Sequence, residues 1–121
     1  MNVFDASALL AYLAGEPGSD VVAEQLGATG VCGAANWSEV AQKVCAAGGD
    51  WDLARGLLLS YGLSVEPVTA GDAERAAELW VRGEGLSLGD RLCLALGERL
   101  DGTVWTTDGQ WSGRRGVHVI R

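Results

Sequence analysis

The chain opens on Met1-Asn2-Val3-Phe4-Asp5-Ala6-Ser7, a short apolar run that ends in a carboxylate and leads straight into a helical pattern. That order reads as a buried strand delivering an acid to its carboxyl end, which is where ligands bind in an open α/β sheet. A carboxylate ending an apolar strand has no routine structural job, and it is costly to bury unpaired. These seven residues therefore predict an α/β fold with Asp5 at its working rim.

The rest of the chain alternates in the same way. Ala6 to Leu13 is rich in Ala and Leu and stops at Gly15-Glu16-Pro17-Gly18, predicting a short helix for which Ser7 is a candidate cap. A second helix is expected over Ser19 to Leu26, and a brief strand over Gly30 to Gly33. Asn36 and Glu39 have capping-box spacing and predict a helix opening there and running to Gly48-Gly49. Asp50 is expected to cap a helix over Trp51 to Tyr61, with Leu53, Leu57 and Leu58 on one side. Leu63 to Val68 alternates apolar and polar residues as a strand does, with Pro67 marking its end or an edge position. Thr69 to Asp72 start a helix carrying Ala73, Ala76, Ala77 and Trp80 and ending at Gly83 or Gly85. In Leu86 to Leu100 the leucines recur at helical spacing behind a second capping box, Ser87 with Asp90. Asp101-Gly102 is a turn, Thr103 to Thr106 a strand, Gln110 to Gly116 an irregular, mobile stretch, and Val117 to Ile120 a last strand. Strands alternating with helices imply a mostly parallel sheet of four to five short strands, covered by helices on both faces.

Length and composition bound the class. At 121 residues the chain makes one domain, residues 1–121, that can bury roughly two thirds of its unfolded surface. Its 48% hydrophobic content is high for a soluble monomer and points to a surface covered by a partner or by self-association. Cys32, Cys45 and Cys93 show no metal-finger spacing and are expected as plain core residues. No apolar stretch reaches the roughly 18 residues needed to cross a membrane, so a cytoplasmic protein is expected. The net charge of −7 works against general affinity for nucleic acid. Gathering several acids around a cation would reverse the local sign where a phosphate must sit.

In such a sheet, Asp5 and Asp108 fall just past strand ends, and Glu39 and Asp90 fall in the first turns of helices, so all four can reach one rim. Singly, Glu39 and Asp90 also read as capping acids, and Asp108 before Gly109 as a common turn pair. Together they repel one another and call for a positive charge between them. Oxygen-only ligands favour a hard cation, Mg²⁺ or Mn²⁺, which can lower the pKa of water and stabilise charge on phosphate. Arg91, Arg114 and Arg115 are candidates for phosphate contacts, though each reads equally well as a solvated surface arginine. Trp37, Trp80 and Trp105 lie in apolar patterns and are expected in the core, leaving Trp51 and Trp111 as candidates to stack on bases. His118, alone in a strand, reads as structural.

The segments Phe4-Asp5-Ala6-Ser7-Ala8-Leu9-Leu10, Asn36-Trp37-Ser38-Glu39-Val40, Leu86 to Ala95 and Thr106-Thr107-Asp108 occur in this order along nearly the whole chain. In them the chain resembles PIN-domain proteins of the VapC toxin type. The resemblance implies a three-layer α/β/α sandwich and a Mg²⁺- or Mn²⁺-dependent endoribonuclease, held inactive by a cognate antitoxin protein and expected as a homodimer. By position, Asp5, Glu39 and Asp90 match the family's acidic triad and Asp108 its fourth acid, with Ser7 and Thr106 as supporting hydrogen-bond partners. One departure is Gln110, where relatives often carry a further acid. Two other readings compete: a phosphoryl-transfer or receiver-type domain using Asp5, for which the only lysine is Lys43, and a non-catalytic PIN-like scaffold.

Overall fold

The computed structural model describes residues 1–120. Strand β1 (Asn2–Phe4) is followed by α1 (Ala6–Leu13), α2 (Ser19–Leu26), β2 (Gly30–Gly33), α3 (Ala34–Ala46), α4 (Trp51–Ser60) and β3 (Ser64–Glu66). Then come α5 (Ala70–Glu78), α6 (Leu88–Leu100), β4 (Thr103–Thr106), a 3-10 turn (Gly109–Trp111) and β5 (Val117–Val119). All strand pairs are parallel, in the order β3-β2-β1-β4-β5. The opening strand is thus the centre of the sheet, and Val3 pairs with Val31 on one side and Val104 on the other.

Successive side chains of a strand point to opposite faces, and β1 shows what that does here. Phe4 packs into one core with Leu9, Val22, Leu26, Val40, Leu58 and Trp105, under α1 to α4. Val3 packs into the other with Cys93, Leu94, Leu96, Val104 and Trp111, under α6. Both are fully buried, each contributing about 1.5–3 kcal/mol relative to exposure. The result is a three-layer α/β/α sandwich.

Local chemistry sets most element ends as expected. Asp50 Oδ1 accepts from Leu53 N at 3.1 Å to start α4, and reciprocal capping boxes start α5 at Thr69/Asp72 and α6 at Ser87/Asp90. Asp101 closes α6 in the left-handed region. Pro67 follows β3, which is an edge strand.

Several expectations are corrected. Asp5, not Ser7, caps α1, so the first acid does have a structural job. Helix α3 begins at Ala34 behind an extended Gly33, because two alanines continue the chain into the helix before Asn36 is reached. Of the three leucines expected on one side of α4, only Leu58 is buried, while Leu53 and Leu57 face solvent. Helix α5 stops at Glu78, short of the expected Gly83 or Gly85, and the connection that follows packs Leu79 and Leu86 onto the second core. Trp80 is left 54% exposed, whereas Trp111, in the stretch expected to be irregular, is wholly buried. Cys32 and Cys93 are core residues, but Cys45 is exposed.

Helix α6 lies so close to the sheet that a Cβ on Gly97 would collide with Val104 Cγ2, while Gly56 of α4 has open space around it. Gly97→Ala is expected to destabilise the protein by about 1–3 kcal/mol and Gly56→Ala to stabilise it by about 0.5–1 kcal/mol. Urea midpoints at unchanged slope measure both.

Candidate active site

The site is built on the carboxyl end of the central strand. Asp5 is only 4% exposed. Its Oδ1 accepts from Ser7 Oγ at 2.6 Å and from Ala8 N at 2.8 Å, and its Oδ2 accepts from Thr106 Oγ1 at 2.5 Å. Burial pushes its carboxyl above the usual 3.8, the Ser7, Thr106 and Ala8 donors pull it back in part, and the Asp90 charge adds to the rise.

Two hydroxyls extend this network to the neighbouring strand. Ser7 Oγ also accepts from Thr107 N at 3.0 Å, and Thr106 Oγ1 accepts from Asp108 N at 3.1 Å. Asp108 is thereby tied to Asp5 through one threonine. Its own Oδ1 accepts from Gln110 N at 2.9 Å, which starts the 3-10 turn.

Glu39 and Asp90 reach the rim from two helices. Because α3 starts early, Glu39 lies in its second turn, not its first. Asn36 Nδ2 donates to Glu39 Oε1 and to the Gly89 carbonyl, both at 3.3 Å, and so fastens α3 to the first turn of α6. A Cβ on Gly89 would strike Glu39 Oε1, so this glycine is the notch that admits the glutamate. Asp90 turns its carboxylate back on its own helix, with Oδ2 accepting from Ser87 N at 3.0 Å.

Two buried thiols lie beneath these acids. Burial above all pushes Cys93 up, with Asp5, Cys32, Asp90 and Glu39 adding to it. Cys32 is raised by burial, then by Asp5 and Glu39. Asp5 and Glu39 thus bear on both thiols and Asp90 on Cys93, while Asp108 is linked to Asp5 through Thr106. Even so, among the described residues no three His, Cys, Asp or Glu side chains are gathered closely enough to hold a metal ion.

The donor set still fits a hard divalent cation. It is all oxygen, the Gly89 notch keeps Glu39 against α6, and Asn36 Oδ1 is buried with no partner. The Ser87 N–H takes only Oδ2 of Asp90, which leaves Oδ1 for a ligand bond. Asn36 and Gly89 were missed as site residues in the sequence. Their signal was a glycine inside the first turn of a leucine-rich helix, which costs about 1 kcal/mol against alanine and calls for a packing reason.

The candidate arginines lie elsewhere. Arg91 Nη1 donates to the Ala76 carbonyl at 2.8 Å. Arg114 pairs with Glu84 at 2.7 Å. With Arg115 it lines a cavity of about 580 Å³ that also includes Gly97 and Asp101 of the far end of α6. That cavity does not include the acids. His118 is exposed and lies against Trp105, with ring centroids 4.5 Å apart.

The PIN domain family model matches residues 3–115. Among solved structures, a toxin-antitoxin complex from Klebsiella pneumoniae contains a chain 19% identical, with a TM-score of 0.80, covering 98% of this chain and 97% of that one. Mycobacterium tuberculosis VapC20, a sarcin-ricin loop cleaving toxin, is 21% identical with a TM-score of 0.78, and each chain is covered in full. No curated protein matches in sequence.

In metal-free protein the raised Asp5 carboxyl has a definite sign. Its contribution to stability is complete below 3.8 and is lost as pH rises through its folded pKa. Asp5→Asn removes that loss. The variant is expected to be more stable than the parent at neutral pH, with the gap closing on acidification, as read from urea midpoints across pH.

Proposed function

The chain belongs to the PIN domain family, and from that premise we propose that it is a divalent-metal-dependent endoribonuclease, the toxin of a toxin–antitoxin pair. The observation that carries this reading is the Asp5 carboxylate, buried at the carboxyl end of the central strand, with its two oxygens oriented by Ser7, Ala8 and Thr106 and with the same Thr106 hydroxyl holding Asp108 beside it. A second acid tethered beside a buried one costs stability, which supports a role in chemistry.

In this reading Asp5, Glu39, Asp90 and Asp108 hold Mg²⁺ or Mn²⁺. When bound, the ion supplies a lowered water pKa and positive charge against the oxygens of the phosphate. The chain's own residues do the positioning. Thr106 and Ser7 fix the Asp5 carboxylate in one orientation, and the Thr106 hydroxyl also sets the turn that presents Asp108. Asn36 holds Glu39 across the Gly89 notch. Hydrolysis adds the oxygen of water to phosphorus and breaks the bond to the 3′ oxygen, leaving a 5′-phosphate and a 3′-hydroxyl. The lone histidine, His118, takes no part, so the leaving oxygen receives its proton from water. Of the three candidate arginines, Arg91, near the start of α6, is the one assigned to a flanking phosphate, since Arg114 and Arg115 line the cavity at the far end of that helix.

The likeness to the Klebsiella complex and to VapC20 supports an antitoxin protein as partner and RNA as substrate. A homodimer is supported by the apolar residues left bare on α4 and on the edge strand β3, Leu53, Leu57 and Val65. A cytoplasmic location is compatible with the helices, none of which, among the described residues, is long and apolar enough to cross a membrane.

Cleavage of labelled RNA in Mg²⁺ tests the reading. Asp5→Asn is expected to abolish cleavage in a folded protein, and Thr106→Val to slow it by about 10–100-fold. Products ending in a 2′,3′-cyclic phosphate, or full activity in Asp5→Asn, would overturn it.

A further inference from the structure

The largest apolar side chain that the fold leaves in solvent is Trp80, 54% exposed, beside Val81 at 56%. Both belong to the connection between α5 and α6. Helix α5 packs antiparallel to α6: Arg99 near the end of α6 meets Asp72 near the start of α5, and Arg91 near the start of α6 meets Ala76. The connection therefore lies at the end of α6 that carries Asp90, on the side of the acid rim. It also approaches the turn after Asp108, where Gln110 Oε1 lies beside Gly85.

This connection is fastened at both ends, since Leu79 and Leu86 are anchored in the second core and Ser87 is locked in the α6 capping box. Trp80 is consequently displayed from a fixed frame. Arg82 lies over its ring, with the guanidinium carbon 5.6 Å from the centroid. Among the described residues Arg82 has no carboxylate partner, and Glu84, the acid of this connection, is neutralised by Arg114. On a chain of net charge −7, Arg82 sets an unpaired positive charge against the exposed indole.

We propose that Trp80 and Arg82 form a subsite for an unpaired base of the RNA on the side of the acid rim formed by α6, the indole stacking on the base and the guanidinium meeting the flanking phosphate. A stacked aromatic with an arginine is how single strands are held with little regard to sequence, and a base buried in a duplex offers no such face. Charge decides between RNA and an apolar protein segment: a free cation over the ring favours a polyanion, and a purely apolar partner would have to desolvate it. The subsite requires unpaired RNA next to the cut, and so selects loops and single strands over helices. The inference rests on the nuclease reading above.

The test uses the full chain and a labelled single-stranded oligoribonucleotide of mixed sequence, free or annealed to its complement. Trp80→Ala is expected to weaken single-strand binding by about tenfold and to raise KM with kcat unchanged, while Trp80→Phe retains most of the affinity and duplex binding does not change. Arg82→Gln, which keeps the indole, is expected to weaken binding and make it less salt-dependent. If Trp80→Ala binds and cuts the single strand as the parent does, the subsite is wrong and the nuclease reading stands. If the parent itself neither binds nor cuts RNA, both fall. If Trp80→Ala leaves RNA binding intact but dissociates a dimer in light scattering, the surface is a protein interface and the proposal is overturned.

Discussion

Everything at this site depends on how a carboxylate is kept at the carboxyl end of the central strand while 4% exposed. Asp5 is held by two hydroxyls and one backbone N–H from two elements: Ser7 and Ala8 in the first helix, and Thr106 at the end of the neighbouring strand. Those bonds meet the desolvation cost only in part, since the carboxyl stays above its ordinary value. Breaking the β1–β4 pairing would remove Thr106, and with it the bond to Oδ2 and the anchor of Asp108. The parallel register of two short strands thus fixes how this carboxylate is oriented.

The other acids are positioned by a compromise between folding and function. Asp90 serves its own helix as the returning acid of the capping box, worth about 0.3–1.5 kcal/mol, and the free oxygen of that same carboxylate is the one proposed to meet a cation. Glu39 is presented across a notch that exists only because Gly89 lacks a side chain, at a cost to helix propensity. Both features look poor in isolation. Both make sense if negative charge has to be gathered at the rim for a positive ion.

Much of this was legible in the sequence, because the relevant signals are local. Asp50, Thr69 with Asp72, and Ser87 with Asp90 announce helix starts by side chains that bond within three residues, and they do so in the structure. The alternation of strands and helices, and Pro67 beside an edge strand, gave the architecture. Tertiary choices were not legible. Nothing in apolar spacing distinguishes Trp80, which the α5–α6 connection leaves outside, from Trp111, which the crossover between β4 and β5 carries into the core. Asn36 had the spacing of a cap, yet the preceding alanines had already entered the helix, and this freed its amide to bind Glu39 and Gly89. That bond joins residues 53 apart in the chain, beyond the reach of any local pattern.

If the acids share a divalent cation, a crystal equilibrated with Mn²⁺ will show an anomalous peak among them. Carboxylate oxygens of Asp5, Glu39 and Asp90 are expected to contact it at roughly 2.0–2.6 Å, with Asp90 turned so that its free oxygen meets the ion. A peak elsewhere on the chain, or no peak at all, would mean that the acids do not hold a common ion.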